Sequence, residues 1–196
     1  MTAKHRYSAV ETRRDLLAAG KKVFADVGYA AARTEEIVAS AGLTRGALYH
    51  HYGDKQGLFR AVLEEIQVEL AAEINRNARA AGDSVVERLR TGFQTYLDAA
   101  LQEDVRQILL VDGPAVLGWD VWQEIDLRYA FGTTLQALER AMALGAIKDA
   151  PLNELTHVML GAVTQAGLEI GRSVNPQETR AQYGKVVDML IDNLRT

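Results

Sequence analysis

Cysteine is absent from the 196 residues, proline occurs three times and histidine four. The missing cysteines exclude disulfides, thiolate zinc sites and a cysteine nucleophile together. No apolar run approaches the roughly 18 residues a membrane helix needs. The first residues, MTAKHRYSAVETRRD, lack the apolar stretch and cleavage site of a secretory signal, so a cytoplasmic protein is expected. Gly-rich phosphate loops, a serine nucleophile motif and an evident carboxylate pair are also missing. No enzymatic activity, cofactor or metal is therefore expected. What is present is 48% hydrophobic and 24% charged residues, enough to bury a sizeable core.

The net charge of −4 is unevenly spread. Residues 1–60 hold ten Lys/Arg against six Asp/Glu, a net of +4, which leaves −8 for the remainder. A basic module that meets an anion, attached to an acidic body, is the reading this asymmetry suggests. Chance clustering of solvated charges is the plainer alternative.

Helical periodicity runs through nearly the whole chain. Leu16, Leu17, Gly20, Val23, Phe24 and Val27 follow the spacing of one buried face, with Gly28 closing that helix. Thr34 is a candidate cap for a second helix, Glu35 to Ala41, with Glu35 and Glu36 favouring its positive end. Thr44 can cap a third, Arg45 to about His51, and Asp54 a fourth, Lys55 to about Asn77. The tight Ala41-Gly42-Leu43-Thr44 connection makes the second and third helices a helix-turn-helix candidate. Helical bundles also contain such turns.

Two of the four histidines, His50 and His51, stand side by side in LTRGALYHHYGDKQGLF, residues 43–59. Neighbours on a helix diverge by about 100°, so the pair cannot hold one metal. Positions i±4 offer no help, being Gly46 and Asp54 around His50. Leu48 and Tyr52 should face inward, leaving Arg45, Gly46, Ala47, Tyr49 and His50 exposed. Gly46 costs a helix about 1 kcal/mol relative to Ala, which is tolerable where something must approach the backbone. His51 remains open between a DNA contact and a stacked or buried aromatic.

The segment FADVGYAAARTEEIVASAGLTRGALYHHYGDKQGLFRAVL resembles the DNA-binding region of the TetR/AcrR family of bacterial transcriptional regulators. Phe24, Gly28, Thr34, Ile37, the turn 41–44, Gly46-x-Leu48-Tyr49-His50-His51-Tyr52, Lys55 and Leu58-Phe59 carry the resemblance, in that order. It implies an all-α homodimer that binds an inverted-repeat operator, usually as a repressor. The expected domains are a helix-turn-helix head, 1–58, and a helical ligand-binding and dimerisation body, 59–196. By position, Tyr49, His50, His51 and Lys55 match residues that reach phosphates or bases, and Arg45, Gly46 and Ala47 those that approach base edges. Thr34 and Thr44 start the two helices at the DNA surface. Arg45 can pair bidentately with guanine or contact phosphate without sequence preference. Lys4, Arg6, Arg13 and Arg14 are candidates for an N-terminal arm, or for a solvated end.

Past residue 75 the pattern is of core-building helices: Ser84 to about Leu101, Trp119–Leu144, Pro151 to about Gly171, and Gln177 or Glu178 to Leu194. Gly113-Pro114 and Gly118 are expected to break the chain between them. Phe93, Tyr96, Trp119, Trp122, Tyr129, His157 and Gln165 are candidate lining for a mostly apolar effector pocket, with Phe131, Met142 and Met159 beside them. Each is otherwise ordinary core. The resemblance implies that the last two helices pair with a partner subunit, through Val158, Gly161, Ala162, Gly167, Val187, Leu190 and Ile191. An activator, or a structural DNA-binding protein without an effector, is the alternative function. A ligand-binding bundle that does not read DNA stands further off.

Overall fold

A computed structural model of the chain describes residues 8–196. The candidate arm residues Lys4 and Arg6 lie outside the described residues. The described chain is helical throughout, with one isolated bridge between Ile147 and Arg195.

Helix α1 spans Ala9–Ala31. It begins in a capping box: the Ser8 hydroxyl accepts from the Glu11 amide while the Glu11 carboxylate accepts from the Ser8 amide. Leu16, Gly20 and Phe24 are buried as the periodicity predicts, but Val27 is turned outward. Gly28, at φ 73°, kinks the helix and does not end it; one further turn runs to Ala31.

Helix α2, Thr34–Ser40, and α3, Arg45–Tyr52, pack against α1. The expected cap at Thr34 is corrected: Arg33 occupies the cap position without a side-chain hydrogen bond, and Thr34 is the first helical residue. The turn behaves as read. Gly42 adopts φ 66° with open space where a Cβ would stand, so the backbone conformation, not crowding, requires glycine there. The Leu43 amide then reaches back to the Val38 carbonyl at 2.8 Å.

Helix α4, Lys55–Ala80, crosses the expected 58/59 domain boundary without interruption. Asp54 caps it, accepting from the Gly57 amide at 2.7 Å. Its buried face, Leu58, Phe59, Val62, Leu63, Ile66 and Leu70, starts in the head and ends in the body. That face lies in a single apolar cluster that runs from Leu16 to Ile191.

The body adds α5, Val85–Ala99, capped by Ser84, then a π-helix, Val105–Asp112, continuing into α6, Gly113–Leu117. The expected break at Gly113-Pro114 is therefore absent. Pro114 has no amide to donate back along the helix, and the Leu109 carbonyl five residues before it accepts from the Trp122 indole instead. The true interruption is Gly118, at φ 81°. Three further helices follow: α7, Trp119–Ala143; α8, Leu152–Arg172; and α9, Pro176–Leu194. The π-helix is held by Trp122, whose indole N–H donates to the Leu109 carbonyl at 2.7 Å. That ring lies where a Cβ on Gly113 would stand, so the glycine gives the indole its place.

Candidate nucleic-acid interface and interior cavity

Leu48 is wholly buried beneath α3, and Tyr52 anchors the helix by donating to the Arg13 carbonyl at 2.8 Å. The Thr44 hydroxyl accepts from the Ala47 amide, fixing the start of α3. Thr44, Arg45, Gly46, Tyr49 and His50 are exposed, which leaves one continuous face, with Tyr49 45% accessible. Ala47, expected on that face, is half-buried against the core instead, because it directly precedes buried Leu48 and lies one turn before half-buried His51. His51 is half-buried, its ring edge-to-face with His50 at 5.1 Å. A Cβ on Gly46 would meet only the Thr44 hydroxyl at 3.8 Å, so nothing inside the chain demands glycine there.

Arg45 is held across the helix-turn-helix. Its guanidinium pairs with Glu35 of α2 at 2.7 Å and donates to the Tyr49 hydroxyl at 3.3 Å. The pair is exposed, so it contributes little to stability but fixes the guanidinium's direction. Lys55 is the larger departure from expectation. Its ammonium donates to the Tyr29 and Ala32 carbonyls at 2.9 and 3.0 Å and lies 4.2 Å from the Tyr29 ring centroid. Two of its three protons thus close the end of α1, leaving one for an outside contact.

In the body, α4, α5, α7 and α8 line a half-open cavity of about 310 Å³. Its walls are mostly apolar, with Leu70, Ile74, Leu89 and Phe93 among them. Of the seven residues expected to line a pocket, Phe93, Tyr96 and Tyr129 do so. The other four are placed elsewhere. Trp122 is fully buried beside the π-helix, Trp119 tilts against it at 5.2 Å on the surface side, His157 stacks on Phe131, and Gln165 bonds to Glu169 on the outside of α8. Among the lining residues that went unforeseen is a hydrogen-bonded polar group, Gln67, Asp126 and Thr164. Asp126 is buried, its carboxylate accepting from Gln67 at 2.9 Å and Thr164 at 3.0 Å. Burial raises its pKa above the ordinary carboxylate value, and those two hydrogen bonds oppose the rise. Burial likewise pushes the Tyr96 hydroxyl well up, helped by the Asp126 charge and opposed by Thr164. The Tyr96 hydroxyl is closed to solvent and lies beside Thr164 without a well-formed hydrogen bond to any partner.

Two family models cover this architecture: bacterial regulatory proteins of the tetR family over residues 16–62, and the tetracyclin repressor-like C-terminal domain over residues 86–194. The chain belongs to the TetR family of bacterial regulatory proteins. A solved TetR-family transcriptional regulator from Pectobacterium atrosepticum is 30% identical, with 98% of each chain covered and a TM-score of 0.87. The transcriptional repressor AcnR of Corynebacterium diphtheriae is 24% identical over 94% of this chain and 92% of its own length. The transcriptional activator FasR of Mycolicibacterium smegmatis is 35% identical over 45% of this chain and 40% of its own. Partial matches of this kind recur: the chain spans between 35% and 60% of several curated relatives it matches.

The outer face of α8 and α9 exposes several large apolar side chains. Val158 is 66% exposed, Met189 62% and Leu190 39%, with Val186 and Gly161 alongside and Ala162 half-buried. Three residues expected on this face point inward. Val187 and Ile191 are core, and Gly167 makes room for the Tyr96 ring, which a Cβ would strike at 2.7 Å. Among the described residues no group of carboxylate or histidine side chains could hold a metal, and no helix is long and apolar enough to cross a membrane.

Proposed function

We propose that this TetR-family regulator binds an inverted-repeat operator as a homodimer and releases it when a small molecule occupies the body cavity. α3 enters the major groove through Arg45, Gly46, Tyr49 and His50, with His51, Thr34, Thr44 and Lys55 at its margins against the backbone. Val158, Gly161, Ala162 and Leu190, joined by Val186 and Met189, form the subunit interface. The head, residues 1–58, reads DNA, and the body, 59–196, binds the effector and the partner.

One observation carries the mechanism: α4 is at once a wall of the cavity and the support on which α3 rests. A ligand between α4, α5 and α7 favours the conformation in which α4 is displaced, and α3 must follow. In a dimer the two copies of α3 then leave the spacing of about 34–36 Å that matches successive major grooves. Ligand and operator weaken one another reciprocally. The chain beyond residue 60, at −8, repels DNA and keeps it on the basic head.

Selection of sheared genomic DNA by the purified protein tests the reading, followed by titration of the enriched fragments at rising salt. Enrichment of an inverted repeat, bound by a dimer with affinity that falls as salt rises, is expected. A folded dimer that enriches nothing at low salt would overturn it.

A further inference from the structure

The cavity is polarised along its length. At one end are Gln67, Tyr96, Asp126 and Thr164; at the other, one arginine from each of three helices, Arg79 of α4, Arg88 of α5 and Arg140 of α7. Gln67 and Arg79 lie twelve residues apart on α4, about 18 Å along the axis at 1.5 Å per residue. Asp126 is the one acid in the lining, and it stands at the end away from the arginines. Arg88 is engaged with Asp83 and the Gly82 carbonyl, whereas Arg79 and Arg140 have no ion-pair partner among the described residues.

Each end selects a chemistry. At the inner end, each Asp126 oxygen accepts one hydrogen bond and retains a lone pair, while the Tyr96 O–H donates to nothing. A buried hydroxyl without a partner costs about 1–3 kcal/mol, so a group supplying an acceptor to Tyr96 and a donor to Asp126 gains on both counts. An alcohol is the smallest group that does both. A carboxylate there meets the Asp126 charge and brings no donor. At the outer end, two unpaired guanidiniums favour an anion. Between them the walls are mostly apolar, with Asn75, Thr133, Thr134 and Gln136 as polar exceptions.

Resting on the proposed role of this cavity as the effector site, we infer that its ligand is an elongated anionic amphiphile that carries a hydroxyl at the end remote from its charge. The hydroxyl binds against Tyr96 and Asp126, the apolar chain fills the channel between α4, α5 and α7, and the anion stays at Arg79 and Arg140. A cationic amphiphile, which would pair with Asp126 from the other direction, must first pass the arginines.

Calorimetric titration of the full chain without DNA tests this, using 12-hydroxydodecanoate, dodecanoate, dodecan-1-ol and dodecylammonium. The hydroxy acid is expected to bind about tenfold more tightly than dodecanoate, the increment of one well-made hydrogen bond, and dodecylammonium most weakly. Tyr96→Phe should abolish the hydroxyl's advantage and leave dodecanoate unchanged. An Arg79→Gln/Arg140→Gln variant, altered only at exposed positions, should weaken both carboxylates and spare dodecan-1-ol. Dodecylammonium binding as tightly as the hydroxy acid, or a hydroxyl advantage that survives Tyr96→Phe, overturns the inference. So does failure of the hydroxy acid to bind a protein that still retains its enriched operator; in that case the regulator reading stands. Binding of the hydroxy acid by a protein that selects no DNA would instead sink the regulator reading and keep the ligand class.

Discussion

Gly57→Ala is the perturbation that most sharply probes how the head is built. Gly57 lies in the first turn of α4, and a Cβ there would collide with the carbonyl oxygen of Tyr52, the last residue of α3. The obstructing atom is backbone, so no side-chain end can swing aside. Two effects oppose one another. Replacing a helical glycine by alanine stabilises by up to about 1 kcal/mol. Overpacking a tight contact costs typically about 1–3 kcal/mol, and a backbone partner places this case toward the upper part of that range. The collision should win by about 1–2 kcal/mol, and the relief available is to open the corner between α3 and α4. That movement tilts the DNA-facing helix. Fluorescence anisotropy with an enriched operator fragment should show at least a tenfold loss of affinity, equivalent to about 1.4 kcal/mol. Thermal unfolding should show a modest drop and sedimentation an intact dimer. A Gly57→Ala protein that melts higher and binds DNA normally would refute the idea that this corner sets the pose of α3.

Four further outcomes are expected. Tyr49→Ala removes an exposed ring and should weaken operator binding about tenfold or more without dissociating the dimer, read by anisotropy and sedimentation. Lys55→Met removes two charge-assisted hydrogen bonds to the end of α1 and should lower stability by about 1.5–3 kcal/mol, measured by urea unfolding; a loss confined to DNA affinity would mean the ammonium serves only phosphate. Leu190→Lys, placing a charge on the apolar face of α9, should yield monomers in sedimentation, and an unchanged dimer would move the interface elsewhere. Asp126→Asn should alter the pH dependence of unfolding. The folded pKa is raised above the ordinary 3.8, so the native state holds that proton more tightly than the unfolded chain. Stability from this group is full below 3.8 and falls as pH rises through the folded value. Parallel stability curves for the two proteins across acid and neutral pH would contradict a buried Asp126 whose folded pKa is raised.

The head was nearly all legible because its features are local. Caps at Thr44 and Asp54, glycine at 42 and the inward pair Leu48 and Tyr52 each depend on neighbours within a few positions. Where the head departs from expectation, the cause is a contact from far along the chain. Lys55 is drawn to carbonyls 23 and 26 residues earlier, and Asp112 bonds to the Tyr29 amide across 83 positions. The body shows the same limit more severely. Periodicity placed α5, α7, α8 and α9 within a residue or two, yet aromatic content could not tell a cavity wall from core, and only Phe93, Tyr96 and Tyr129 of the candidates face the space. Asp126 sits 59 residues from Gln67 and 38 from Thr164, so no spacing rule links them. The π-helix left no trace that α-helical periodicity could register, since its register is set by Trp122 and Gly113. On α8 and α9 both faces are apolar, so the inward Gly167, Val187 and Ile191 were indistinguishable in sequence from the outward Val158 and Leu190.

The central claim is that α4 couples an occupied cavity to the pose of α3. The most direct measurement is the distance between spin labels on His50 of the two subunits, read by pulsed electron resonance on the operator-binding protein with and without a cavity ligand. The account predicts a separation near 34–36 Å on operator DNA and a different, ligand-dependent separation when the cavity is filled. A ligand that demonstrably fills the cavity and releases DNA while leaving that distance unchanged would contradict it.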